Sequence, residues 1–187
     1  RNLLEAASTC GVRRIVAISS DTVCRERRSP YAESKAQAEE LLASWASAED
    51  RELVVLRPPM MLGRGSPHLA SLERMSRIPV LPLPGSSAGR RPVWVGDVAG
   101  AVLAALELPA GALPTAPLDL PGAQRVQLGE LIGAVARARG RLRPRVIGIP
   151  TQLAGPLGRL LGKGLAERLE GLGQESSADP EPAQKIL

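Results

Sequence analysis

Tyr31 and Lys35 are the residues of this chain whose types and spacing point most directly to chemistry. Four positions apart, they share a face if the segment is helical. A lysine ammonium beside a phenol favours the phenolate and lowers its pKa. A phenol tuned in this way can give or take a proton near neutral pH. Composition sharpens the pair: Tyr31 is the single tyrosine, and among 24 basic residues only Lys35, Lys163 and Lys185 are lysines. Taken alone, the spacing is still more often an ordinary solvated helix face. Ser19 and Ser20 follow a short apolar run. A hydroxyl at a strand's end can hold a substrate oxygen, or it can simply satisfy local backbone groups. Arg57-Pro58-Pro59-Met60 follows a second apolar run, and a proline turn that redirects the chain is its plainer reading. His68, the single histidine, has no partner pattern. Cys10 and Cys24 have no metal-ligand spacing, and no metal site is expected.

These residues need elements to position them. Residues 2–9 read as the end of an amphipathic helix closed by Gly11. Ile15-Val16-Ala17-Ile18 reads as a buried parallel strand, and residues 21–29 as a polar loop. Ser29-Pro30 supplies a capping hydroxyl and a first-turn proline, which starts a helix over 31–48. Leu53-Val54-Val55-Leu56 is a second buried strand. Helix, strand, helix, strand with short connections is an α/β pattern. Further on, the sequence predicts a helix over 67–77 and a Pro/Gly/Ser-rich loop over 80–89. A short strand at Val93-Trp94-Val95 then leads to a helix capped by Asp97 and running to 108. A strand at Leu118-Asp119-Leu120, an amphipathic helix over 127–139 and a strand over 146–149 follow. Residues 151–172 read as a Gly-interrupted apolar helical region, and the tail from 174 as polar. The boundary between the sheet and a second lobe is expected near 62–66.

Composition sets the outer limits. With 44% hydrophobic and 23% charged residues, the 187-residue chain is globular in type and long enough to bury a core. Asp97, Pro109 and Arg159 interrupt the apolar stretches, so no membrane span is expected. No leader pattern opens the chain, and two cysteines suit a reduced, cytoplasmic setting. The first residues already read as helix, which suggests a start inside a larger fold. The net charge is +5, but the basic residues are scattered along the sequence and the aromatics are Tyr31, Trp45 and Trp94 alone. Without stacking platforms, nucleic acid is not an expected partner. Arg137, Arg139, Arg141, Arg143 and Arg145 span a helix end and its loop, where they suit the helix's negative end.

Five runs occur in one order: Asn2-Leu-Leu-Glu-Ala-Ala, Gly11 to Ser20, Tyr31-Ala-Glu-Ser-Lys35, Leu56 to Gly65, and Pro92-Val-Trp-Val-Gly-Asp-Val-Ala99. Together they resemble the short-chain dehydrogenase/reductase superfamily. The branch they resemble is the extended or atypical one, the NAD-dependent epimerase/dehydratase-like proteins. The resemblance implies a partial Rossmann-like, doubly wound parallel sheet with a smaller C-terminal substrate lobe. Residues 1–65 would be the second part of the NAD(P)-binding domain, and 66–187 would complete the sheet and form the lobe. Tyr31 matches the catalytic tyrosine. Lys35 matches the lysine that lowers its pKa and bonds the nicotinamide ribose. Ser20 matches the hydroxyl that orients the substrate oxygen. Pro58, Pro59 and Met60 lie in the segment that lines the nicotinamide, and Arg90 stands where nucleotide-sugar members bind phosphate.

Two departures bear on function. The family's N-terminal half, with its GxxGxxG turn, lies outside this sequence. Ser20 and Tyr31 also stand closer together than in nucleotide-sugar epimerases. The implied function is an NAD- or NADP-dependent oxidoreductase or epimerase/dehydratase, in which a Ser-Tyr-Lys site couples proton transfer to hydride transfer. The alternative is a non-catalytic nucleotide-binding or scaffold protein like the complex I accessory subunit. A small-molecule substrate is implied, and the resemblance allows a homodimer.

Overall fold

The computed structural model describes residues 2–26, 28–48, 50–84, 86, 89–149, 181 and 183. The helical region expected over 151–172 and the tail from 174 to 180 lie outside the described residues. In chain order the elements are α1 (Asn2–Thr9), β1 (Arg14–Ile18), a 3-10 turn (Asp21–Cys24), α2 (Pro30–Ala46) and β2 (Glu52–Arg57). Then come β3 (Met61–Leu62), α3 (Pro67–Met75), β4 (Val80–Pro84), β5 (Gly89–Arg90) and β6 (Val93–Trp94). The last are α4 (Val95–Glu107), β7 (Leu118–Asp119), β8 (Val126–Gln127), α5 (Leu128–Ala138) and β9 (Arg145–Ile149). They fall into two compact units. The first contains Arg1–Pro59 and Val93–Pro121, and the second contains Met60–Pro92 and continues from Gly122.

The first unit is built on the parallel sheet β1-β2-β7. β1 and β2 pair from Arg14↔Glu52 to Ile18↔Leu56, and β7 pairs with β2 through Leu56↔Leu118. The continuous apolar runs read in the sequence are these strands, and Val54, Val55 and Leu56 are buried. The connection between β1 and β2 carries α2. Ser29 Oγ accepts from the Ala32 amide at 3.2 Å, with Pro30 in the first turn. Ala32, Ala36 and Trp45 form the buried face of α2. Trp45 Nε1 donates to Ser8 Oγ of α1 at 3.1 Å, and the Arg51 guanidinium lies 4.8 Å from the Trp45 ring centroid. Gly11 follows α1 with φ at +69°, a conformation glycine adopts without a Cβ penalty.

One side chain ties three elements of this unit together. Arg14, at the start of β1, donates to Glu52 Oε2 on β2 at 2.8 Å. It also reaches the C-terminal carbonyls of α4, bonding Leu106 O at 2.8 Å and Leu108 O at 2.5 Å. Those carbonyls have no helical partner, and a guanidinium suits the negative end of the helix. At the other end of α4 the structure corrects the reading of Asp97 as the cap. Trp94 holds the cap position, no side chain bonds there, and Asp97 lies in the first turn. A carboxylate is favourable there through the same helix dipole.

The second unit packs α3 and α5 with the parallel pair β4-β9. Leu72, Leu81, Leu83, Leu128 and Ile132 form its core. β4 corrects the expectation of a loop over 80–89: Val80 to Pro84 pair in parallel with Arg145 to Ile149. The prolines fit because of parity. The Arg145 amide donates to Pro79 O at 2.9 Å, so positions 79, 81 and 83 face β9. Pro82 and Pro84 fall on the alternate positions, where no ladder N–H is required. At the start of α5, Glu130 Oε2 accepts from the Gln127 amide at 3.2 Å, the reaching-back arm of a capping box, which satisfies one orphan amide. The polar loop expected over 21–29 holds the 3-10 turn at its start.

Candidate active site

β1 and α2 place the Tyr31–Lys35 pair. The Lys35 ammonium donates to Ile18 O, the last carbonyl of β1, at 3.1 Å. The lysine therefore sits at the carboxyl end of a parallel strand, the edge where ligands of open α/β sheets bind. This bond uses one of the three ammonium donors. Tyr31 stands one turn earlier on the same face of α2 and is 55% exposed. Among the described residues, no hydrogen bond joins the Tyr31 hydroxyl to Lys35 or Ser20.

Ser20 lies two residues beyond Ile18 and is buried. It caps the 3-10 turn: its Oγ accepts from the Thr22 amide at 3.3 Å and from Thr22 Oγ1 at 3.0 Å. Its own proton points to Asp21 Oδ1 at 3.5 Å. The local-backbone role read as the alternative in the sequence is thus filled. A substrate oxygen would take the one donor that Ser20 now spends on a long contact.

Pro58 is fully buried, and its carbonyl accepts from the Asp21 amide at 3.4 Å, tying the ends of β1 and β2. Pro59 is half-buried. Met60 and Arg90 belong to the second unit. Met60 packs partly against the Leu72 cluster, and Arg90 is buried on β5, opposite Val126 of β8.

Sequence reasoning missed Glu39. Arg57, the last residue of β2, donates from Nε to Glu39 Oε1 at 3.0 Å and from Nη2 to Oε2 at 2.5 Å. This bidentate pair fixes the second half of α2 to the strand. Arg57 Nη1 also reaches Cys24 Sγ at 3.4 Å. Burial pushes the Glu39 carboxyl up. The bonds from Arg57 and the nearby Ser19 hydroxyl dipole, with the charges of Arg57 and Arg28, outweigh burial and hold it below the usual 4.5. Ser19 Oγ is itself buried and makes no hydrogen bond of standard geometry, so it assists the carboxylate as a nearby dipole. One signal could have found Glu39: Tyr31, Lys35 and Glu39 recur every four residues along α2.

Among the described residues no group of three His, Cys, Asp or Glu side chains could hold a metal ion, and no helix is long and apolar enough to cross a membrane. Cys10 and Cys24 are free thiols.

A parallel sheet with crossover helices, and a lysine tied to a strand's carboxyl end, define an α/β chain of the Rossmann type. The profile of the NAD dependent epimerase/dehydratase family matches residues 1–116, and the chain belongs to that family. The resemblance to extended short-chain dehydrogenases/reductases is borne out. A search of curated proteins found no match. Among solved structures, the chain is similar to the UDP-glucose 4-epimerase of Thermus thermophilus complexed with NAD. Identity is 27% and the TM-score 0.62, over 80% of this chain and 55% of that one. MoeE5 in complex with UDP-glucuronic acid and NAD is 23% identical with a TM-score of 0.69, over 99% and 62%. The dTDP-glucose 4,6-dehydratase DesIV of Streptomyces venezuelae, a double mutant with NAD and DAU bound, is 19% identical with a TM-score of 0.67, over 99% and 57%. The chain therefore spans less than two thirds of the length of each of these structures.

Proposed function

We propose that this chain carries the proton-transfer site of an NAD(P)-dependent oxidoreductase or epimerase/dehydratase acting at a hydroxyl or carbonyl carbon. The observation that carries the reading is the bond from Lys35 Nζ to Ile18 O. It fixes a cation at the carboxyl end of β1, one helical turn from the exposed phenol of Tyr31. The Tyr31 phenolate oxygen takes the proton from a substrate hydroxyl, or the Tyr31 hydroxyl returns it to a carbonyl oxygen. Lys35 stabilises the phenolate by charge and keeps two donors for ribose hydroxyls. The Ser20 hydroxyl turns from Asp21 to hold the substrate oxygen. Pro58 and Pro59 give the nicotinamide an apolar, donor-free wall, and Met60 extends that segment. Bound NAD or NADP would supply the hydride acceptor or donor. The NAD and UDP-glucuronic acid in the MoeE5 complex support this cofactor class and, as substrate, a nucleoside-diphosphate sugar. On that substrate Arg90 is assigned to a phosphate.

In the whole protein, residues 1–65 are assigned to the second part of the cofactor domain, and residues 66–187 to sheet completion and the substrate lobe. The assigned setting is the cytoplasm, and the assigned assembly a homodimer. The test is Tyr31→Phe in the complete protein. Loss of a positioned general acid–base lowers kcat by roughly 100-fold or more, with NAD(P) affinity by titration nearly unchanged. Retained turnover would sink the assignment. One observation favours the non-catalytic alternative: Ser20 already spends its hydroxyl inside its own turn. Under that reading the wild-type protein binds nucleotide and turns over no hydroxyl or carbonyl substrate.

A further inference from the structure

Scattered along the sequence, the basic residues are sorted by the fold. Residues 60–92 and 122–149 of the second unit hold eleven arginines against Glu73 and Glu130. Residues 1–59 and 93–121 of the first unit hold nine basic and twelve acidic residues. The net positive charge thus belongs to the second unit, and sequence order hides this because two separate stretches contribute it.

These arginines converge where the end of α3 meets the loop between α5 and β9. Arg139 pairs with Glu73, its Nε at 3.1 Å, and Arg141 Nη1 donates to Ser76 Oγ at 3.2 Å. Arg77, Arg141 and Arg143 line one open cleft of about 490 Å³ together with Ile78, Leu142 and Pro144. Glu73 is the one acidic residue in 66–84 and 131–149. The bond from Arg139 holds its carboxyl below 4.5, and the charges of Arg139, Arg141 and Arg77 help to overcome burial. Among the described residues two carboxylates lie near this face, Glu73 and Glu130, which shares a neighbouring cleft with Arg143, and the arginines outnumber them; Arg74, Arg77, Arg137, Arg143 and Arg145 are all exposed.

The same face is also apolar at its tip. Leu142, between Arg141 and Arg143, is 94% exposed, and Ile78 is 43% exposed. A water-borne phosphate needs the arginines but gives such a leucine nothing. A surface with anionic headgroups above an apolar layer uses both. Nucleic acid also presents phosphates, but Tyr31, Trp45 and Trp94 all lie in the first unit. The basic face therefore has no tyrosine, tryptophan or phenylalanine from its own segments on which a base could stack, His68 being the one aromatic ring there.

We propose that the end of α3 and the α5–β9 loop form a docking surface for an anionic lipid bilayer. The arginines lie among the headgroups, and Leu142 and Ile78 enter the boundary beneath them. The test is sedimentation of the full chain with phosphatidylcholine vesicles made with and without phosphatidylserine. Binding is expected to the phosphatidylserine vesicles and to weaken at high salt. Arg77→Gln is expected to weaken it about fivefold, as for one basic residue at an anionic surface. Leu142→Ser is expected to weaken it about tenfold through lost apolar contact. Both side chains are exposed, so an unchanged melting temperature checks that each variant folds. Three outcomes overturn the proposal: no sedimentation with phosphatidylserine vesicles, equal sedimentation with neutral ones, or binding indifferent to Leu142→Ser. Tighter binding to a DNA duplex that survives Leu142→Ser also overturns it, in favour of a nucleic-acid surface. None of these outcomes bears on the Tyr31 site.

Discussion

Glu39 shows how a residue can matter to a site without touching a ligand. Its carboxylate receives two bonds from Arg57, and both side chains are largely shielded from water. Glu39→Gln keeps the shape but leaves the guanidinium facing a neutral amide. The expected cost is about 2 kcal/mol of stability, at the low end for a shielded pair because some solvent remains. Chemical denaturation measures it, and a change within about 0.5 kcal/mol would mean the pair is replaced by water. At this scale the sequence was partly legible. Tyr31 and Lys35 stood out because tyrosine and lysine are rare in this chain. Ser20 was placed at a strand end, but its bonds to Thr22 depend on a local turn that no periodicity encodes. The partner of Glu39 lies 18 positions away, so only the packing of α2 on β2 reveals it.

Elements were legible where their pattern is local and continuous. The apolar runs of β1 and β2 and the Ser29-Pro30 start of α2 each carry their own signal. β4 was hidden because proline normally marks a loop; its strand depends on a register with β9 more than sixty residues later. Asp97 misled for a related reason, since a favourable first-turn carboxylate resembles a cap in sequence. Arg14 belongs to this scale because it joins β1, β2 and the end of α4. Arg14→Met is expected to cost about 2 kcal/mol, through charge-assisted bonds lost to Glu52 and to carbonyls with no other partner. Amide exchange over 104–108 should rise with it. Unchanged protection there would show that the helix end does not depend on the guanidinium.

Across the whole molecule, three carboxylates respond to acid in the same direction. Glu39, Glu52 and Glu73 are all held below 4.5. For Glu52 the Gly111 amide is the largest cause, ahead of Arg14. In the unfolded chain these groups protonate near 4.5, before they do so in the fold. The unfolded state then binds more protons, and stability falls as pH drops. The contribution is complete above that value and is lost as pH falls through the lower native values. Melting temperature should hold down to about pH 5 and then decline steadily toward about pH 3. A flat profile across that range would contradict the three interactions. The interleaving of the two units has a consequence in time. Sixty residues separate the end of β2 from β7, its neighbour on the far side. A ribosome adding about 5–20 residues each second needs about 3–12 s to deliver that neighbour. Through that interval the edge of β2 that meets β7 has no native partner, and an open strand edge recruits other strands. The newborn chain is therefore most exposed to mispairing while the second unit is being made.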